Sequence, residues 1–250
     1  MASNDWNADR YVKNAAFVSE YGSAVAELLG NIYGKRVLDL GCGDGRLTSE
    51  LVNKGASVIG IDASDSMIES AREKGLEAYV LDALQMDYEA EFDSVFTNAT
   101  LHWIPDHPSL TAKVFRALKP GGEFVGEFGG HGNVAAISTA VRATLTKHGY
   151  SWVGKKPVTY SSVKKFEEVL RGAGFDVPYI QLIPRPTPLP TGVRGWLETF
   201  GKPFMEDADS ETQAKMIDDI EELLAPALRD EYGNWTADYI RLRFRATKGA

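Results

Sequence analysis

Thirteen residues limit what this chain can fold into: Arg36-Val-Leu-Asp-Leu-Gly-Cys-Gly-Asp-Gly-Arg-Leu-Thr48. Val37 to Leu40 form a short, mostly apolar run that stops at Gly41, which predicts a buried strand entering a turn. Glycines at 41, 43 and 45 let the backbone take positive φ and let a ligand meet the main chain without meeting a Cβ. Helical spacing follows, with Leu47, Leu51 and Val52 on one side. A helix that starts there turns its unpaired N–H groups and the positive end of its dipole back toward the turn. The unit is strand, glycine turn, helix.

A second run, Val58-Ile-Gly-Ile61, ends in Asp62, twenty-one residues beyond Gly41. A carboxylate at the tip of the second strand is where a ribose diol is held in doubly wound sheets. The dinucleotide fingerprint G-x-G-x-x-G needs a third glycine at 46, where this chain has Arg46, and no G-x-x-x-x-G-K-S/T occurs. The turn suits a nucleoside ligand that lacks a diphosphate.

Strand and helix patterns then alternate. Strands are expected at Val37–Leu40, Ser57–Ile61, Glu77–Leu81, Phe92–Asn98 and Glu123–Phe128. Helices are expected at 45–54, at Asp65–Lys74 capped by Ser64 or Asp65, and at Ser109–Leu118. Short connections between such units imply parallel strands with helices on both faces, and a ligand beyond the carboxyl ends of the strands. Further on, a helix over 133–148, a loop over 149–161, a helix Val163–Gly172 after a Ser161 or Ser162 cap, and a strand Phe175–Pro184 are expected. Pro184, Pro186, Pro188 and Pro190 read as a stiff extended linker. Two helices, Arg194–Phe200 and Glu211–Leu224, precede a last strand, Trp235–Thr247, that pairs antiparallel with the sixth. On it Tyr239, Arg241, Arg243 and Arg245 share a face, read as solvated, with an anion-binding role for one arginine as the alternative.

The fold expectation is therefore α/β: a doubly wound, mostly parallel seven-stranded sheet with an antiparallel last strand and a helical cap. One domain covers 1–250, its core 30–131, 162–184 and 233–248, its cap 132–161 and 185–232.

Composition narrows the class. The net charge of −8 is concentrated in residues 206–231, where ten carboxylates face only Lys215 and Arg229. That stretch reads as a solvated helix face, and no basic stripe with interleaved aromatics points to nucleic acid. No apolar run approaches the ~20 residues of a membrane span, and no signal peptide is evident at the start. A lone cysteine, Cys42, excludes an intrachain disulfide. These features lead to the expectation of a cytoplasmic protein, monomer or homodimer, with a small-molecule partner, no metal, and neither nucleic acid nor membrane.

Leu38-Asp-Leu-Gly-Cys-Gly-Asp-Gly45 and Ile61-Asp-Ala-Ser-Asp-Ser-Met67 resemble the first two motifs of class I S-adenosylmethionine (AdoMet)-dependent methyltransferases. The resemblance implies AdoMet as cofactor. Asp39, Gly41, Cys42 and Gly43 would hold its methionine end, Asp62 and Ala63 the ribose, and Asp82, Ala83 and Leu84 the adenine, with Met67 either packed on the ring or part of the core. The run Asn98-Ala-Thr-Leu-His-Trp103 is similar to the family segment that meets the methionine moiety, through Asn98, and then the substrate, through Trp103. His102 is the candidate catalytic residue, either a general base or an orienting or packing group. His131, in Gly129-Gly-His-Gly132, is a substrate candidate or part of a connector. Trp196, with Phe200 and Lys202, falls where substrate choice is expected. An aromatic segment with Trp6, Tyr11 and Phe17 reads as a lid over the ligand, with Tyr11 a cofactor-binding candidate, or as a packing helix.

Within the family the chain is similar to the trans-aconitate methyltransferase-like subgroup. The Asn-Ala-x-x-His-Trp run, Glu127-Phe-Gly-Gly130 and Trp235-Thr-Ala-Asp-Tyr239 carry that resemblance. It implies methyl transfer to an oxygen of a small molecule. An AdoMet-binding protein that transfers no methyl, a nicotinamide-dependent oxidoreductase and a macromolecular methyltransferase are the rival readings.

Overall fold

The computed structural model describes residues 22–151 and 158–250; Trp6, Tyr11 and Phe17 lie outside them. Seven strands form one sheet: β1 (Arg36–Leu40), β2 (Ser57–Asp62), β3 (Ala78–Val80), β4 (Phe92–Asn98), β5 (Leu118–Gly129), β6 (Asp176–Pro188) and β7 (Thr236–Thr247). Their spatial order is β3-β2-β1-β4-β5-β7-β6. β1 to β5 pair in parallel, and β7 runs antiparallel to both β5 and β6. The sheet reverses its winding direction between β1 and β4, so the crevice at their carboxyl ends is the topological switch point.

Helices α1 (Arg46–Asn53), α2 (Asp65–Glu73), α3 (His107–Ala117) and α5 (Val163–Gly172) flank the sheet. Their starts obey local capping chemistry. The side chains of Ser64, Asp106 and Ser162 accept from Met67, Ser109 and Lys165 backbone N–H groups, which satisfies donors the helix itself cannot. Ser64 and Ser162 are thus the caps where two choices stood open. α3 starts two residues before the expected Ser109, because Asp106 caps it and Pro108 sits in its first turn.

One face of the sheet buries Leu38, Leu40, Phe124, Phe128 and Phe244 against Leu110 and Val114 of α3 and Phe166 and Leu170 of α5. The other buries Val37, Phe96 and Val125 against Val25, Leu29 and Leu51. A third apolar cluster belongs to the cap. It joins α4 (Ala135–Lys147), the helical stretch made of α6 (Gly192–Trp196), a π turn (Leu197–Gly201) and α7 (Lys202–Met205), and α8 (Ser210–Leu228). α8 turns Met216, Ile220 and Leu224 inward and leaves its carboxylates outside, where Asp219 meets Lys147 and His148, and Asp218 and Glu221 meet Arg194. No described helix is long and apolar enough to cross a membrane.

Two expectations fail here. The proline-rich stretch is not a linker through 188: Pro184, Pro186 and Pro188 stand in β6 opposite Ile240, Asp238 and Thr236. Proline at every second residue removes N–H groups from one side only, and β6 is the last strand in the order, so that side needs no partner. The strand therefore continues four residues past the expected core boundary at 184. The arginine row of β7 is solvated only at Arg245, whose side chain is 42% exposed. Arg243 and Arg185 both pair with Glu127, which is 1% exposed, and Arg241 is itself only 7% exposed.

Candidate functional site

The glycine turn is held open by its backbone. Gly41, Gly43 and Gly45 have φ of 74°, 55° and 79°, values that favour glycine. A Cβ on Gly41 would stand 2.1 Å from Thr100 Oγ1, whereas one on Gly43 would meet nothing within 4 Å. The first glycine lets two strand ends close together, and the second faces open space. The N–H groups of Gly41 and Cys42 both donate to the Ile61 carbonyl, at 2.8 and 3.0 Å, which ties the turn to the end of β2.

Around this turn the ends of the parallel strands line one cavity of about 910 Å³. Asp39, Gly41, Cys42 and Gly43 come from β1 and its turn, Asp62, Ala63 and Met67 from β2 and α2, and Asp82, Ala83 and Leu84 from the end of β3. Asp62 accepts from the N–H of Gly43 at 3.0 Å and of Ser64 at 2.9 Å. Burial raises its pKa, and these backbone donors pull it back. Asp82 accepts from the Leu84 N–H at 2.8 Å, capping a single helical turn. Cys42 is buried, and burial together with the charges of Asp39 and Asp62 pushes its thiol up, so it is a packing group and no thiolate.

Asp39 is 2% exposed and accepts from Thr48 Oγ1 at 2.7 Å. No cation lies within ion-pair distance of it among the described residues. Desolvation raises its pKa to about 7, with Asp62 adding and Thr48 opposing. A buried carboxylate of this kind is matched by a cationic ligand group. With the open backbone at Gly43, the set fits the ammonium and nucleoside parts of AdoMet.

Past the end of β4, Asn98, Thr100, His102 and Trp103 line the cavity. Ala99 holds φ of 55° in this segment, and such strain in a non-glycine residue clusters at sites of function. His102 is buried, and its Nδ1 accepts from the Gly129 N–H at 3.3 Å. By that hydrogen-bond geometry the neutral ring carries its proton on Nε2. Burial, then the positive charge of Arg241, lowers its pKa well below the usual value. The segment is braced from behind by His107, whose Nε2 donates to the Leu101 carbonyl at 2.9 Å.

The far half of the cavity is aromatic. Trp103 and Trp196 line it with Tyr160, Phe200 and Tyr239, and Arg241 closes that end. Trp196 Nε1 donates to Tyr239 Oη at 2.6 Å, and the Arg241 guanidinium lies 4.5 Å from the Tyr239 ring centroid. The acidic end and the aromatic end are thus joined across the Asn98–Trp103 segment.

His131 is exposed and is not part of this cavity's lining; its N–H donates to the Ser161 carbonyl, which fits the connector reading over the substrate one. Tyr11 lies outside the described residues. Tyr160 and Arg241 were not singled out as site residues by sequence. Tyr160 sits in a stretch without periodicity. Arg241 had one signal, a charge count across paired strands: three arginines of β7 face two glutamates of β5, a mismatch that needs the register to be seen. Among the described residues no three His, Cys, Asp or Glu side chains cluster as a metal site.

Comparison with known proteins places this arrangement. Residues 38–126 match the model of the methyltransferase domain. An uncharacterized methyltransferase, C70.08c, of Schizosaccharomyces pombe is 37% identical over 99% of this chain and 100% of its own length. Trans-aconitate 2-methyltransferase of Methylobacterium nodulans is 29% identical over 89% of this chain and 90% of its own. The fold matches that of Haemonchus contortus phosphoethanolamine N-methyltransferase 2, solved with S-adenosylhomocysteine, at a TM-score of 0.62 and 20% identity, over 99% of this chain and 58% of that one. With the glycine turn, the acidic strand ends and full-length similarity in agreement, the chain belongs to the class I AdoMet-dependent methyltransferases.

Proposed function

We propose that the enzyme methylates an oxygen of a small-molecule acceptor, and that a carboxylate is that acceptor group. AdoMet, when bound, supplies a methyl carbon on a positively charged sulfur, open to displacement by an oxygen lone pair. Asp39 holds the ammonium of the cofactor, Asp62 its ribose diol, and Asp82 with the Ala83–Leu84 backbone its adenine, against Met67. Asn98 and the glycine turn flank the methionine portion. Trp103, Tyr160, Trp196 and Phe200 wall the acceptor half and exclude water there.

The observation that carries this reading is the single cavity of about 910 Å³ that runs from the acidic strand ends to the aromatic end. That size is at the upper end for ligand sites and accommodates a cofactor and a small acceptor together.

A carboxylate is ionised at neutral pH and needs no base, so His102 is assigned as an Nε2–H donor that orients the acceptor. Positioning and alignment then supply the rate. The similarity to trans-aconitate 2-methyltransferases supports a small-acid acceptor. The test is incubation with methyl-labelled AdoMet over a panel of small carboxylic acids, phenols and enols. Base-labile methyl esters are expected. Label on nitrogen or carbon, or transfer only to protein, nucleic acid or lipid, refutes the assignment.

A further inference from the structure

The β7 arginines obey a ladder with one rung missing. Facing them across the β5–β7 register, Arg243 stands opposite Glu127, and Arg245 reaches the next carboxylate, Glu123. Arg241 stands opposite Gly129 on β5 and Ile183 on β6. Neither offers an anion, and Gly129 has no room for a side chain, because a Cβ there would stand 2.6 Å from the Tyr160 ring and 2.9 Å from Asn133 Nδ2. Among the described residues no carboxylate pairs with Arg241. Yet it is 7% exposed and lines the cavity.

A guanidinium buried without a counter-charge is costly. Its stacking on Tyr239, at 4.5 Å from the ring centroid, offsets only part of that. The cavity-lining groups beside it are uncharged: His102 is held neutral, and Tyr239 and Tyr160 have raised pKa values from burial; Asp238, which acts on the same tyrosines, lies outside the lining, where it accepts from the Ala136 N–H. The acceptor end of the cavity therefore presents one fixed positive charge inside an aromatic wall.

We propose that Arg241 is the specificity-determining residue of the acceptor site, where it receives a carboxylate of the acceptor other than the one that is methylated. This rests on the reading of the cavity as an AdoMet and acceptor site. Carboxylate oxygens gripped by the guanidinium fork have their lone pairs engaged, so the nucleophilic oxygen belongs to a second group. The acceptor is then a small acid with at least two acidic oxygens, one gripped and one reacting. A monoanionic carboxylate matches a single guanidinium. A dianionic phosphate calls for more cations, and the only other basic side chain lining the cavity among the described residues is Arg46, which follows the glycine turn at the opposite end.

The experiment is calorimetric titration of the full chain, saturated with S-adenosylhomocysteine, with tricarballylate, succinate, inorganic phosphate and the uncharged trimethyl ester of tricarballylate. Wild type, R241Q and R241K are compared. At least one of the two acids is expected to bind wild type, and its affinity should fall about 10- to 100-fold in R241Q, the range for losing a charge-assisted hydrogen bond, and less in R241K. The ester should not distinguish the three proteins, a pattern that a merely structural role for Arg241 would not give. Unchanged acid affinity in R241Q overturns the proposal. So does tighter binding of phosphate than of either acid, or no acid binding to a wild type that holds S-adenosylhomocysteine. If R241Q loses S-adenosylhomocysteine binding, R241K decides: a fall in acid affinity supports the proposal and none overturns it. A wild type that binds neither S-adenosylhomocysteine nor AdoMet refutes the underlying cofactor reading instead.

Discussion

Cofactor binding should release a proton, because of Asp39. Its pKa is raised from 3.8 to about 7 by desolvation first, then opposed by the Thr48 hydrogen bond and aided by the Asp62 charge. The folded value lies above the unfolded one. Its contribution to stability is therefore complete below pH ~3.8 and is lost as pH rises through about 7. A shift of roughly three units corresponds to a cost on the order of 4 kcal/mol for carrying this buried charge above neutrality. An ammonium placed against Asp39 favours the ionised form, so binding draws the proton off. At pH ~6, one unit below a pKa of about 7, roughly 0.9 of the carboxyls are protonated. Calorimetry of AdoMet binding at that pH, in two buffers of different ionisation enthalpy, should report release of up to that fraction. Affinity should climb by up to about tenfold per unit from pH ~5 and level near 7. Above pH ~8 the proton flow reverses, since the α-amino group of the ligand, with a pKa of ~7.7–8.0, must then gain a proton. Asp39→Asn removes the release at pH ~6, weakens AdoMet about 10- to 100-fold near neutrality, and raises the thermal stability of the ligand-free protein. Identical heats in both buffers at pH ~6, together with a flat affinity up to neutrality, would refute the assignment of Asp39 to the ammonium.

Three further outcomes follow from the same geometry. Asp62→Ala removes the acceptor for the Gly43 and Ser64 N–H groups, so AdoMet affinity should drop about 10- to 100-fold; an unchanged dissociation constant excludes Asp62 from the site. Glu127→Ala removes the carboxylate that Arg185 and Arg243 share and leaves Arg243, whose side chain is 15% exposed, without its ion pair, which should cost about 3–5 kcal/mol; a loss below ~1 kcal/mol in urea unfolding shows that the cluster is not structural. His102→Gln keeps a donor, so turnover at saturating AdoMet should stay within about tenfold of wild type. A fall of 100-fold or more, the scale of general-base catalysis, would make His102 a base after all.

Local chemistry was strong enough to reveal the strand–turn–helix unit and its cofactor end. The glycines at 41, 43 and 45 and the acids at 39, 62 and 82 lie at strand ends, and a parallel sheet always gathers those ends on one edge. Caps such as Ser64 and Ser162 are decided by neighbours three residues away, and they too were legible, though each with a rival one residue off. The acceptor end was not. Tyr160 enters the cavity from an aperiodic stretch, and His131 stands outside its lining. The prolines of 184–188 read as a linker until β6 was known to be an edge strand. The arginine row read as solvent-facing because alternation separates the two faces of a strand without saying what covers each. Pairing supplies that. Glu127 neutralises Arg243 and Arg185, while Gly129, across from Arg241, leaves one buried charge turned to the cavity. The sequence alone determined the glycine turn and the acidic strand ends that line one half of the cavity, because that half is built by backbone and by residues close in the chain. Tertiary structure alone decided what shares the cavity with it, because that surface is assembled from segments 100 residues and more apart in sequence, as between Asn133 and Ile240.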